Sequence, residues 1–236
     1  MRGTARHDAV RTVSFGLSRG RTLDPGAYGI SSDDLPAYDP ASPESGRIDP
    51  RAWFPAPERS LEIEIGSGKG TFLVQQAVLQ PDVNFLGIEW AKAFCDYAAD
   101  RMRRRELDNV RMLRADATEF LRHRCPDAIA DVIHVYFSDP WPKKRHHKRR
   151  VVQDRTLCEF HRILRDGGRV HLVTDHDDLW SWYEAHVERA APLFERVAFR
   201  APDSARPGEL IGTNFERKYQ REGRPFRAMT LVRRDA

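Results

Sequence analysis

Glu64 stands just ahead of three alternating glycines, in the run Glu62-Ile63-Glu64-Ile65-Gly66-Ser67-Gly68-Lys69-Gly70-Thr71. Glycines at this spacing let a backbone turn approach a ligand closely, with the amides of a following helix behind it. Two familiar nucleotide motifs fail here on single residues. A dinucleotide fingerprint needs Gly or Ala at position 71, which is Thr71. A P-loop needs Ser or Thr directly after Gly-Lys, and Gly70 follows Lys69. Two more acids follow apolar runs. Glu89 lies 19 residues after Gly70, where a carboxylate can accept both hydroxyls of a ribose. Asp116, in Arg114-Ala115-Asp116-Ala117, is placed either to accept an exocyclic amine or to N-cap the next helix.

A third constellation is Phe137-Ser138-Asp139-Pro140-Trp141-Pro142. The two prolines stiffen the loop by fixing φ and removing N–H donors. Lys143-Lys144-Arg145-His146-His147-Lys148-Arg149-Arg150 follows at once, with six of eight residues cationic and the others His. A run of this kind usually marks a solvated face. Its place inside the domain, directly after a rigid loop, favours phosphate binding instead, with Trp141 as a stacking surface. His146-His147 without nearby acidic ligands is a poor metal site, and none is expected.

The elements that must position these residues follow from hydrophobic patterning. Strands are predicted over 61–65, 84–88, 110–113, 131–137, 169–174, 194–199 and 226–232. Helices are predicted over 71–79, 91–107, 117–123, 153–164 and 179–189, the fourth stopped by Gly167-Gly168. Strands alternating with helices imply a parallel sheet. The expected fold is an α/β, doubly wound, mostly parallel, seven-stranded Rossmann-like sheet with helices on both faces, over residues 60–236. Residues 1–59 read as an N-terminal extension, partly disordered on its own: a basic arm with Arg2, Arg6, Arg11, Arg19 and Arg21, then a proline-rich acidic connector over 24–58. Asp175 reads as a possible N-cap of the helix carrying Trp180 and Trp182, those aromatics as core, and Thr213-x-x-Glu216 as a capping box. The face of Arg101, Arg103, Arg104 and Arg105 fits either a solvated helix or an RNA track.

Glu64-x-Gly-x-Gly-x-Gly70 has the form seen in S-adenosylmethionine-dependent methyltransferases. With Gly87-Ile88-Glu89, Ala115-Asp116-Ala117, the loop and basic run 138–150, Val173-Thr174-Asp175 and Gly212-Thr213-Asn214-Phe215-Glu216-Arg217-Lys218, the chain resembles the bacterial tRNA (guanine-N7-)-methyltransferases from about residue 60 onward. Pro142 stands where that family often has His. The resemblance implies that Glu64, Gly66, Gly68, Glu89, Asp116 and Asp139 hold S-adenosylmethionine, with Asp139 at the catalytic position. It implies that Lys143, Asp175, Thr213, Asn214, Phe215 and Glu216 hold the substrate. Arg145, His146, His147, Lys148, Arg149 and Arg150 would contact RNA, and the target would be guanine 46 in the variable loop of tRNA. The rivals are a methyltransferase of another RNA or small molecule, and a non-catalytic RNA-binding module. Intact acids at all three cofactor positions speak against the second.

Composition is compatible with this. The 236 residues carry +4 formal charge, and only six of the 39 basic residues are Lys, which leaves 33 Arg. Arg grips phosphates bidentately, though a GC-rich genome also enriches it. Charged residues make up 31%, against roughly 25% in ordinary globular domains. There is no apolar run of membrane-spanning length, no leader-like N-terminus and no Cys-x-x-Cys. A cytoplasmic protein, monomeric or homodimeric and free of membrane and metal partners, is the expectation.

Overall fold

The computed structural model describes residues 22–235. The basic segment 2–21 lies outside the described residues. The chain runs β1 (Gly29–Ser31), β2 (Ser60–Ile65), α1 (Thr71–Leu79), β3 (Val83–Ile88), α2 (Lys92–Arg103), β4 (Val110–Arg114), α3 (Ala117–His123) and β5 (Ala130–Tyr136). It continues through α4 (Asp154–Ile163), β6 (Leu164–Thr174), α5 (Asp177–Arg189), β7 (Phe194–Val197), α6 (Asn214–Arg221) and β8 (Arg227–Arg233). The strands form one sheet in the order β1-β4-β3-β2-β5-β6-β8-β7. All neighbours are parallel except β6–β8 and β7–β8.

Alternation along the strands sends side chains to two separate cores, as a sheet covered on both faces requires. Leu61, Ile63, Leu86, Ile88, Ile133, Val135, Val170 and Leu172 share one core with α3, α4 and α5. Phe85, Val110, Met112, Tyr136 and Val173 share the other with α1 and α2. The chain winds outward from β2 through β3 to β4, then crosses back to β5 beside β2. The order thus reverses between β2 and β5, and open α/β sheets bind ligands at the C-terminal strand ends of such a point.

Three differences from the sequence reading have physical causes. The sheet has eight strands rather than seven, because Gly29–Ser31 pairs in parallel with Met112–Arg114. This part of the connector is tied down by Arg111, which is 8% exposed. Arg111 donates from Nε to the Trp53 carbonyl at 3.0 Å and sits over the rings of Tyr28 and Phe54 at 4.9 and 5.4 Å. Helix α2 ends at Arg103 rather than 107, and Glu106 has a left-handed φ of 54° in the turn that follows. Strand β6 begins at Leu164, five residues early, because Leu164 pairs with Ala130 across an irregular register. Among the described residues, no helix is long and apolar enough to cross a membrane.

Candidate active site

The five central strands are parallel, so their C-terminal ends lie along one edge of the sheet. In spatial order from β4 to β6 that edge carries Asp116, Glu89, Glu64, Asp139 and Asp175. The sequence places Glu64, Glu89 and Asp116 at the ends of three successive strands; the strand order sets Asp139 and Asp175 in the same row.

Glu64 is within β2 and only 5% exposed. Its Oε2 is buried without a hydrogen-bond partner among the described residues. Burial pushes its carboxyl up to about 8; neighbouring Ser67 opposes this and the Glu89 charge adds to it. A buried, unpartnered carboxyl oxygen is costly unless something binds there. The glycine turn beside it is held by Gly66 N–H to the Ile88 carbonyl at 2.8 Å and by Gly70 N–H to the Ser67 carbonyl at 2.9 Å. Gly68 has φ +52°, and a Cβ there would meet nothing within 4 Å, so its surface is open to a ligand. Gly70 has φ +63°, and a Cβ there would come within 2.9 Å of Met102 and 3.0 Å of Ala98 on α2.

Glu89 binds the turn directly. Its Oε2 accepts from Gly68 N–H at 2.9 Å, and its Oε1 accepts from Ala91 N–H at 2.8 Å. Each oxygen keeps capacity for a ligand hydroxyl. Asp116 is the N-cap of α3, as its sequence context allowed. All its cap bonds go to Oδ1: Thr118 N–H at 2.9 Å, Thr118 hydroxyl at 2.7 Å and Glu119 N–H at 3.2 Å. Oδ2 has no partner among the described residues, so capping and ligand binding are compatible.

Asp139 is exposed and makes no hydrogen bond or ion pair among the described residues. Its loop is unusual in backbone: Phe137 and Trp141 take left-handed φ values of 52° and 44°, which non-glycine residues rarely adopt. The Phe137 ring lies 5.0 Å from Phe215 and 5.5 Å from Phe226, which brings α6 to the end of β5. Phe215 is 42% exposed beside it.

The basic run forms a short 3₁₀ helix, Lys144–Arg149. Lys143, Lys144, Arg145, Lys148 and Arg149 are exposed, and none has a carboxylate partner among the described residues. Arg149 sits 4.9 Å over the Trp141 ring and His146 meets it edge-on at 5.8 Å. The stacking surface expected of Trp141 is therefore shared with the loop's own cations. The His147 ring packs 5.4 Å from Trp182.

Three residues assigned to RNA or substrate contact take other positions. Arg150 is 1% exposed, unlike the five cations before it; its charge is legible in the sequence and its burial is not. Glu216 is fully buried. Its carboxylate accepts from the backbone N–H groups of Leu210, Ile211 at 2.9 Å and Gly212 at 2.8 Å. It thus shapes the 210–212 loop, and the capping box is half formed: Thr213 accepts from Glu216 N–H at 3.1 Å. Asn214 opens α6. Asp175 does not cap α5; His176 does, accepting from Leu179 N–H at 3.3 Å. Asp175 instead accepts from Arg224 at 2.9 Å.

Residues 58–229 match a family model described as "Putative methyltransferase". The chain is 40% identical over 185 residues to a tRNA (guanine-N(7)-)-methyltransferase of Agrobacterium fabrum, covering 78% of each chain. It is 38% identical over 215 residues to one from Nitrobacter hamburgensis, covering 89% of this chain and 82% of that one. The chain belongs to the tRNA (guanine-N(7)-)-methyltransferase family. Its fold also matches the crystal structure of the aminoglycoside resistance methyltransferase NpmB1, with TM-score 0.51, 19% identity and coverage of 75% and 88%.

The residues present fit the methyl donor of such enzymes, S-adenosylmethionine. The unpartnered Glu64 oxygen, the open face of Gly68 and the spare capacity of Glu89 and Asp116 suit a cationic, hydroxyl-bearing, amine-bearing ligand. This methyltransferase shows two positioning features that patterning missed. Arg101, read as part of a solvated face or RNA track, donates to the Lys69 carbonyl and the Thr71 hydroxyl, each at 3.3 Å, and so braces the glycine turn. Arg103 and Arg104 are committed to the buried carboxylate of Asp100. Trp90, directly after Glu89, is 73% exposed, a large apolar surface whose only sequence signal is that adjacency.

Proposed function

We propose that this methyltransferase carries the methyl group of S-adenosylmethionine to N7 of guanine 46, in the variable loop of tRNA. The observation that carries the reading is Asp139: an exposed carboxylate, unpartnered among the described residues, between a row of acids at the sheet edge and five cations without carboxylate partners. S-adenosylmethionine supplies a methyl group activated by its sulfonium.

Guanine N7 has a lone pair and no proton, so no general base is needed to make the nucleophile. A C–N7 bond forms as the C–S bond breaks, and positive charge passes to the guanine ring. What remains for the protein is alignment and charge stabilisation. Glu64, Glu89 and Asp116 hold the donor, with the glycine turn at Gly66 and Gly68 against it. Asp139 accepts from guanine N1–H and the exocyclic amine, which orients N7, and then stabilises the developing positive charge. Lys143, Asp175 and Phe215 border the guanine, and Lys144, Arg145, Lys148 and Arg149 take the tRNA phosphates. A tRNA substrate is consistent with a cytoplasmic protein acting as monomer or homodimer.

Asp139→Asn tests this reading. It keeps the shape of the side chain and removes the charge. At saturating donor and tRNA, kcat should fall by about 10²- to 10³-fold. A kcat near the wild-type value would overturn both roles given to Asp139.

A further inference from the structure

The loop carrying Asp139 is fastened to α5 on both sides of that residue. Before it, the Ser138 hydroxyl lies 2.8 Å from the Tyr183 hydroxyl, and Tyr183 is fully buried. After it, Arg150 Nε donates to the Pro140 carbonyl at 2.8 Å, and Arg150 Nη2 donates to Asp178. The Arg150 guanidinium also lies 4.9 Å over the Trp182 ring. Asp178, Trp182 and Tyr183 all belong to α5, so one rigid element holds both flanks of an otherwise free carboxylate.

Arg150 is also the residue on which the basic 3₁₀ helix ends. Its N–H donates to the His147 carbonyl at 3.0 Å, and its own carbonyl accepts from the Gln153 side chain. The planar fork of a guanidinium can serve a carbonyl and a carboxylate at fixed angles while stacking on an indole; an ammonium cannot do all three. One donor, Nη1, is buried without a partner among the described residues. That arrangement is poor for stability alone and points to a demand on geometry.

We propose that Arg150 is a positioning residue that fixes Asp139 through Pro140 and α5, with Tyr183 as its counterpart through Ser138, and that it makes no phosphate contact. This rests on the role given to Asp139 above. The exposed cations of the 3₁₀ helix bind RNA; the buried residue that caps it sets the catalytic loop. A displacement of about 1 Å in such a loop is enough to cost on the order of a hundredfold in rate.

The test compares Arg150→Lys, Tyr183→Phe and Lys148→Ala for kcat, KM for tRNA and the dependence of tRNA affinity on salt, with thermal melts as a check on folding. Arg150→Lys and Tyr183→Phe should lower kcat by about tenfold to a hundredfold. Both should keep the tRNA KM within about twofold and leave the salt slope unchanged, since no phosphate contact is lost. Lys148→Ala should act on binding instead, raising KM and flattening the slope. If Arg150→Lys does not fold, Tyr183→Phe, which loses one hydroxyl, decides alone. Wild-type kcat in the folded variants would overturn the proposal, as would a raised KM with a flattened salt slope in Arg150→Lys. Wild-type protein that moves no methyl to tRNA would instead overturn the functional reading, and this role with it.

Discussion

At the scale of single residues, Glu64 holds the tightest link between burial and ligand. Burial above all pushes its carboxyl from the ordinary 4.5 up to about 8, so the free protein holds it mostly protonated at neutral pH. Between those values the folded state keeps a proton that the unfolded state has lost. The contribution of this group to stability is therefore full below about 4.5, declines as pH rises and is lost above about 8. A cationic ligand favours the carboxylate, so binding S-adenosylmethionine should expel the proton. Donor affinity of the wild type, relative to Glu64→Gln, should rise by up to about tenfold per pH unit until the pH reaches the raised value. Calorimetric titrations at several pH values, in buffers of different ionisation enthalpy, would show it. Parallel pH profiles for the two proteins would contradict the assignment. Such effects are invisible in sequence, where Glu62 and Glu64 look alike on one alternating strand. The same limit holds for Arg150, which reads as one cation of a phosphate-binding run, and for Glu216, for which the resemblance implies a substrate contact: the burial of neither is legible in the sequence.

At the scale of elements, one short segment has an exposed basic part, the 3₁₀ helix, and a buried residue, Arg150, that is bonded to Pro140 and to Asp178 on α5. Replacing three of Lys144, Arg145, Lys148 and Arg149 by Ala should flatten the log–log salt dependence of tRNA binding by roughly 2 to 3 units, if each meets one phosphate. An unchanged slope would show that this helix is not at the interface. Most elements were legible because their apolar periods are clear and their ends carry glycines or caps. The short strand β1 was not: Gly29–Ser31 has no period to read, and it joins the sheet only through a distant partner strand and the buried Arg111. The start of β6 was missed for a similar reason, since Leu164 is strand only by virtue of Ala130 opposite it. The acids at the C-terminal ends of β2, β3, β4 and β5 could be read in the sequence, because a parallel sheet brings successive strand ends to one edge.

At the scale of the whole molecule, a net charge of +4 conceals a separation of signs. Five acids stand along one edge of the sheet, and five exposed cations follow directly after the loop that holds the fourth of them in chain order, Asp139. The pairing suits a cationic donor on one side of the reacting carbon and a polyanion on the other. The most direct measurement is to incubate the purified protein with labelled S-adenosylmethionine and bulk tRNA, and then cleave the product with borohydride and aniline, which cut at N7-methylguanine. The account predicts label in tRNA and a single new cleavage at guanine 46. Label on another base or atom, with no such cleavage, would contradict it.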